Sequence, residues 1–290
     1  CTMNPALGHE VEPEYQVTPA AVKKKVMVIG AGPAGMECAI TAAKRGHDVT
    51  VFDKAGRIGG NLYAYAINDL ARPDDLLSVI SHYEAVAKKL GIEVRLNTEV
   101  HAKFMRSVLH QYDVCVIAAG ASIDRGRHAH VKGAERMLDA LDVAHGRVKA
   151  GQRVVVVGGG KIGLTLAEAL RKHQGAEVTV IEPAKRIAGD VKPSFKWRHA
   201  SWVEELGIAC LTSTTLAEVG VDGVKVRNAK GEESFVPADT VIQADGVAPA
   251  HPLFHEFEWM IDELHGVGDA VIPRGLEQAI HEGFRLGVRR

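Results

Sequence analysis

The chain has 290 residues, 46% of them hydrophobic and 24% charged, which is enough apolar material for a packed core and excludes both a disordered chain and a minimal disulfide scaffold. Its 35 Lys and Arg against 36 Asp and Glu leave a net charge of -1, so no broad basic field exists to draw nucleic acid or anionic lipid. At about 150 residues per domain the length suits two domains, and the 30 glycines direct attention to backbone turns.

Residues 1–22 carry Pro5, Pro13 and Pro19 without an apolar period and are expected to form an extended arm. The chain opens on Cys1 rather than methionine and shows no basic and apolar leader, so it is expected to be a piece of a longer polypeptide. A β-branched run at 25–29 leads into a glycine turn at 30–35, a helical stretch at 33–45 and a strand at 48–52, which together make a βαβ unit. Helical spacing over 73–90, with Asp74 and Asp75 early, predicts a helix, followed by strands at 92–96 and 112–118. After a polar stretch at 121–150 the opening pattern returns: an apolar run at 153–157, a glycine turn at 158–163, a helix at 161–172 and a strand at 177–181. Two copies so far apart mark duplicated domains rather than a solenoid. Alternation over 214–235, with turn signals at Asp222-Gly223 and Lys230-Gly231, predicts an antiparallel meander inside the second domain. A strand at 239–243 precedes His265-Gly266-Val267-Gly268-Asp269 and a last helix at 276–286. That tail is too short to form a domain and is expected to pack on the first. The expected fold is therefore α/β, with two Rossmann-like dinucleotide-binding domains and the second inserted into the first. The arm takes residues 1–22, the first domain 23–125 plus 251–290, and the second 126–250.

Each glycine turn follows an apolar strand and opens a helix, where free amides and the helix dipole can hold a pyrophosphate. In the first copy Gly30 and Gly32 permit the tight turn and close phosphate approach, Pro33 and Ala34 open the helix, and Gly35 lets helix and strand pack closely. Gly158, Gly160, Lys161, Ile162 and Gly163 repeat the set. Asp53, next to Lys54, and Glu182 each end the following strand about 20 residues beyond, where a carboxylate can accept from a ribose diol. Two such sites point to two nucleotides, one tightly held and one exchanged, and so to FAD plus a nicotinamide dinucleotide. Gly60 and Asn61, the strand-end Ala118-Ala119-Gly120, and Gly268-Asp269 near the carboxyl end are the accessory contacts a flavin needs, Asp269 reaching the ribityl hydroxyls. At the second site Glu182 should repel a 2′-phosphate, which favours NADH, while Lys185 and Arg186 keep NADPH open. No catalytic side chain is named, because hydride transfer between nicotinamide C4 and flavin N5 needs orientation rather than an acid or base.

Other features have plainer readings. Cys1, Cys38, Cys115 and Cys210 include no C-x-x-C pair, which excludes a dithiol route and suits a reduced, cytoplasmic chain with no membrane span. Cys38, Cys115 and Cys210 read as buried apolar residues, and Lys23-Lys24-Lys25 as a solvated edge. His251 and His255 are split by Pro252 and lack a third ligand, so they read as no metal site, and Trp197 and Trp202 read as core or interface.

The residues resemble the carboxyl-terminal nucleotide-binding half of the iron-sulfur flavoproteins related to old yellow enzyme, a family of 2,4-dienoyl-CoA reductase, NADH:flavin oxidoreductases acting as enoate reductases, and trimethylamine dehydrogenase. The most specific stretches are Cys1-Thr2-Met3-Asn4-Pro5-Ala6-Leu7-Gly8-His9-Glu10, 28–35, 52–61, and Gly268-Asp269 with Pro273-Arg274. The resemblance implies a glutathione/thioredoxin reductase-like pair of domains and an electron-entry module in which NADH reduces FAD. It makes Cys1 the last ligand of a 4Fe-4S cluster, and it implies an FMN barrel domain, absent here, that reduces an enoate or enoyl-CoA-like substrate. One departure stands at Ala244-Asp245-Gly246-Val247-Ala248-Pro249-Ala250, where relatives commonly carry an apolar residue before the glycine and an asparagine after the proline. The rival reading is a non-catalytic adenine-nucleotide module like that of trimethylamine dehydrogenase, and a third is a free-standing flavin reductase. The sequence leaves a homo-oligomer open.

Overall fold

The computed structural model describes residues 1–68, 72–250 and 253–289. The chain divides into two compact units, one of residues 1–62, 77–122 and 248–290, the other of residues 63–76 and 123–247.

In the first unit, Lys25–Ile29, Asp48–Phe52, Glu93–Arg95, Val114–Ile117 and Leu264–Gly266 form a parallel sheet. The spatial order is last strand, fourth, first, second, third. Val26, Met27 and Val28 of the central strand are almost wholly buried, as continuous apolar runs in a sheet covered on both faces require. The helix Pro33–Lys44 starts with proline at its first turn, where the missing N–H costs nothing. Against it lies the final helix Leu276–Arg289, so closely that a Cβ on Gly283 would stand 2.3 Å from the Ala34 carbonyl oxygen. The carboxyl-terminal tail thus belongs to the first unit, as its length requires.

The arm is not simply extended. It holds the short 3-10 helix Pro13–Tyr15, and His9 stacks on Tyr15 at 4.6 Å, which in turn stacks on Phe284 of the final helix. Aromatic packing outweighs the proline pattern here, because the Tyr15 ring finds an apolar partner, Phe284, on a helix face already built. The lysine run is only partly a free edge, since Lys24 pairs with Glu263 and Lys23 with Asp48.

In the second unit, Leu138–Asp139, Thr240–Gln243, Arg153–Val157, Glu177–Glu182 and Ala209–Thr212 lie side by side in that order as a parallel sheet. The expected meander is present as the antiparallel strands Thr214–Val219, Gly223–Asn228 and Glu233–Pro237. The helix Lys161–Gln174 packs on the sheet through Leu166, Ala167 and Leu170, beside Val154, Val156, Val178 and Val180. Ala64 joins the same core, and the neighbouring Asn68 donates to the Glu168 carboxylate at 2.6 Å. These contacts explain why residues 63–76 count with the second unit.

Two readings need correction. Trp197 on the helix Pro193–Glu205 is 63% exposed, and the residue this helix buries is His199, so Trp197 is not core. The helix turns its histidine inward because Glu168, fully buried, needs a hydrogen-bonding partner and finds Nδ1 at 2.8 Å. Cys38 and Cys115 are buried, whereas Cys210 is only half-buried. His251 and Pro252 lie outside the described residues. Among the described residues no group of three metal-competent side chains gathers, and no helix is long and apolar enough to cross a membrane.

Candidate functional site: two dinucleotide turns

Both sheets carry their glycine turns at the carboxyl ends of central strands, the position at which open α/β sheets take ligands. In the first unit Gly30 has φ +114, and its amide donates to the Phe52 carbonyl at 2.7 Å. A Cβ there would lie 2.2 Å from the Ala118 carbonyl oxygen, so no other residue fits between the adjacent strand ends. Gly35 sits over the same turn, where a Cβ would meet the Gly30 oxygen at 1.9 Å. Gly32 caps the helix in extended conformation, and Pro33 and Ala34 follow as its first residues. The N-cap Gly32 has no side chain to bond the first helix amides, and the nearest atom to a Cβ on Gly32 is the Gly60 Cα at 4.0 Å.

The Asp53 carboxylate receives the Ala31 amide at 2.6 Å and the Ala55 amide at 2.7 Å. One acid therefore fixes the turn and the start of its own loop, while Lys54 beside it is exposed. Gly59 donates to Ala31 at 2.9 Å, which lays the Gly60-Asn61 segment along the glycine turn. Asn61 reaches the Ala121 carbonyl at 3.4 Å. Ala118 is buried, Ala119 is exposed, and Gly120 turns with φ +75. Gly268, with φ +67, abuts Ala34, where an added Cβ would stand 2.7 Å from its methyl. The Asp269 carboxylate accepts the Arg274 amide at 2.9 Å and so organises the entry to the final helix. The residues expected to hold FAD are thus gathered by one sheet edge. Cys1 lies apart from them on the arm, an exposed free thiol whose carbonyl accepts from the His281 ring at 2.9 Å.

The second unit repeats the construction atom for atom at the acid. Glu182 accepts the Gly159 amide at 2.8 Å and the Ala184 amide at 2.7 Å, the same pair of contacts that Asp53 makes. Gly158 has φ +111, and a Cβ on Gly163 would meet its oxygen at 1.9 Å. Ile162 packs on the core, and the Lys161 ammonium lies 4.5 Å above the Tyr65 ring. Lys185 and Arg186 are exposed on the loop that follows Glu182.

Two neighbours of this turn escape a motif search. The Asp245 carboxylate is clasped by Arg127 Nε at 2.8 Å and His128 Nε2 at 2.9 Å, directly beside Gly158. Its signal in the sequence is the departure at Ala244-Asp245-Gly246, since a carboxylate set among strand ends calls for cations, and the run 125–130 supplies them. The other is Asp190, whose carboxylate receives the Lys161 amide at 2.8 Å.

The sequence profile of the family described as pyridine nucleotide-disulphide oxidoreductase matches residues 24–267. A cinnamate reductase of Clostridium sporogenes is 32% identical over 99% of this chain and 42% of its own length. An NADH oxidase of Thermoanaerobacter brockii is 33% identical over 99% of this chain and 44% of its own. Among solved structures, a 2-naphthoyl-CoA reductase in complex with 2-naphthoyl-CoA covers the whole chain with 43% of its own, at TM-score 0.93 and 37% identity. The chain thus spans less than half the length of these proteins. The matches bear out the resemblance drawn from the sequence.

Proposed function

The chain belongs to the pyridine nucleotide-disulphide oxidoreductase family, and from that premise we propose that it is the electron-entry module of a larger flavin-dependent reductase. It would bind FAD at the first turn and NADH at the second. The observation that carries this reading is the duplicated turn itself: two glycine fingerprints, each completed by a carboxylate on the same pair of amides. When bound, FAD supplies a ring that accepts a hydride from the nicotinamide.

The chain's own contribution is to bind and to orient. In the first unit the helix N-terminus behind Gly32 would offer its amides and dipole to the pyrophosphate. Asp53 would take the adenosine ribose, and Asp269, which holds the 270–275 loop, would meet the ribityl chain. In the second unit Glu182 would take the ribose of NADH, and its charge would disfavour the 2′-phosphate of NADPH. No proton need be held for hydride transfer, which accords with the lack of a sequence candidate for an acid or base.

The rest of the reading concerns the longer protein. The cinnamate reductase and 2-naphthoyl-CoA reductase relatives support an enoate or enoyl-CoA-like final acceptor, reduced on an FMN barrel outside this chain. Cys1 would supply one ligand of a 4Fe-4S cluster. It is an exposed, free cysteine, and the resemblance would place the other three ligands outside this chain.

The test is anaerobic addition of NADH, then NADPH, to the FAD-loaded chain while the flavin absorbance is followed. Stoichiometric bleaching by NADH, with NADPH slower, is expected. A bound flavin that neither nicotinamide bleaches would refute the reading and favour a nucleotide-binding module without catalysis.

A further inference from the structure

The two turns match in backbone, in acid and in close packing, yet they differ in what stands above the second glycine. Above the second glycine of the first turn there is open space, the nearest atom to an added Cβ being the Gly60 Cα at 4.0 Å. Above the corresponding Gly160 stands a carboxylate, with Asp190 Oδ2 3.0 Å and Oδ1 3.1 Å from an added Cβ. The same carboxylate accepts the Lys161 amide at 2.8 Å, the first amide of the helix Lys161–Gln174. Glycine at this position serves close approach of a phosphate, and the amide is one of those a pyrophosphate would use.

The loop that carries Asp190 is laid on the turn rather than placed near it by chance of side-chain rotation. The Ala188 amide donates to the Gly159 carbonyl at 2.7 Å, and Ala188 adopts φ +58, a left-handed conformation that a non-glycine residue takes only when its surroundings hold it there. The Ile187 side chain stands against Gly159, within 3.1 Å of an added Cβ. Gly189 intervenes with open space around it, and Asp190 itself is exposed, so the carboxylate can swing into solvent without moving the anchored part of the loop.

We propose that the Asp190 carboxylate is a built-in competitor for the pyrophosphate at the second turn, so that this site exchanges its dinucleotide while the first retains its own. The inference rests on reading the second turn as the NADH site. An anionic pyrophosphate cannot share the Gly160 space and the Lys161 amide with a carboxylate, because like charges at one helix N-terminus repel. Binding must therefore displace Asp190, and its return assists departure of the oxidised nucleotide. A flavin site gains nothing from such a device, and among the described residues no carboxylate stands above Gly32.

The experiment uses this chain loaded with FAD and compares wild type with Asp190→Ala and Asp190→Asn, titrating NAD+ and ADP-ribose by calorimetry and following release by stopped flow. Side-chain contacts at helix N-caps span a range that predicts roughly 2- to 30-fold tighter binding of both probes to Asp190→Ala. Asp190→Asn keeps an acceptor oxygen but loses the charge, so its gain should be smaller. FAD affinity should be the same in all three proteins. If wild type binds the probes and both variants bind equally or more weakly, the competitor role is overturned while the NADH site stands. A parallel change in FAD affinity would also overturn it, by showing that the effect is not local to the second turn. If none of the three proteins binds ADP-ribose, the reading of the second turn fails and the inference with it.

Discussion

Adding one methyl group to each turn in separate proteins asks which turn serves which nucleotide. In Gly35→Ala the new Cβ would lie 1.9 Å from the Gly30 carbonyl oxygen, and in Gly163→Ala it would lie 1.9 Å from that of Gly158. Both oxygens belong to backbone fixed by strand pairing, for the Gly30 and Gly158 amides each donate to the neighbouring strand end. Real contacts of this kind stay above 3.0 Å, so helix and turn must part by about 1 Å, an overpacking cost of roughly 1–3 kcal/mol. For units of this size that corresponds to a fall in Tm of roughly 2–12 °C. The two variants should suffer alike in stability, because the clash is the same, and differ in function. Gly35→Ala should lose FAD on gel filtration while still binding ADP-ribose; Gly163→Ala should keep its flavin and lose NADH bleaching. Flavin retained by Gly35→Ala at wild-type affinity, or stripped by Gly163→Ala, would refute the assignment of nucleotides to turns.

Three further outcomes follow from other contacts. Glu182→Ala removes the acceptor of two amides and the ribose partner at once, so NADH binding measured by bleaching titration should weaken by roughly 10-fold, at about 1.4 kcal/mol per decade, and the preference over NADPH should shrink; an unchanged preference would sink the ribose role. Burial pushes the Glu37 carboxyl up to about 7, against the pull of Lys44, and the buried Tyr83 hydroxyl, near it but without a hydrogen bond of normal geometry among the described residues, does not reverse this. The folded chain then holds a proton that the unfolded chain has released, so this contribution to stability is lost as pH rises from about 4.5 to 7. At 1.36 kcal/mol per pH unit that is at most about 3 kcal/mol, and urea melts of wild type and Glu37→Gln at pH 5 and 7.5 should show the loss in wild type alone. Finally, Glu168→Ala strips its buried partners, His199 and Asn68, of a common acceptor and should cost about 3 kcal/mol by thermal unfolding; a cost under about 0.5 kcal/mol would mean that the cluster adds nothing.

How far the sequence spoke can be argued residue by residue. The glycine turns, the acids that close them and the helix at 73–90 were legible because backbone sterics and 3.6-residue periodicity act locally: Gly30 must be glycine whatever lies beyond Ala118. The meander was legible from its Asp222-Gly223 and Lys230-Gly231 turns. The docking of the arm through Tyr15 on Phe284 was not, since nothing local tells two distant rings that they will stack. Nor was the helix Pro193–Glu205 legible as a histidine-burying element, because the acid that draws His199 inward sits on another helix. Asp190 escaped for the same reason: its meaning lies in which backbone amide it reaches across a loop.

The same asymmetry between local and distant signals explains how one fold can yield two unlike sites. Duplication preserves what the strand–turn–helix corner demands for itself, namely the three glycines and the acid whose oxygens hold the turn amides, and so both copies read alike in sequence. What the corner does not demand is free to differ. The first copy has acquired Gly60 and Asn61 against its turn and Asp269 beside the final helix. The second has acquired a carboxylate on its helix amide and the Arg127–Asp245–His128 cluster beside Gly158, charges that compete with or balance an anion. On the proposed assignment, enclosure would slow departure and competition would speed it, so a division of labour between a retained and an exchanged nucleotide would reside in the neighbours of the fingerprints and not in the fingerprints.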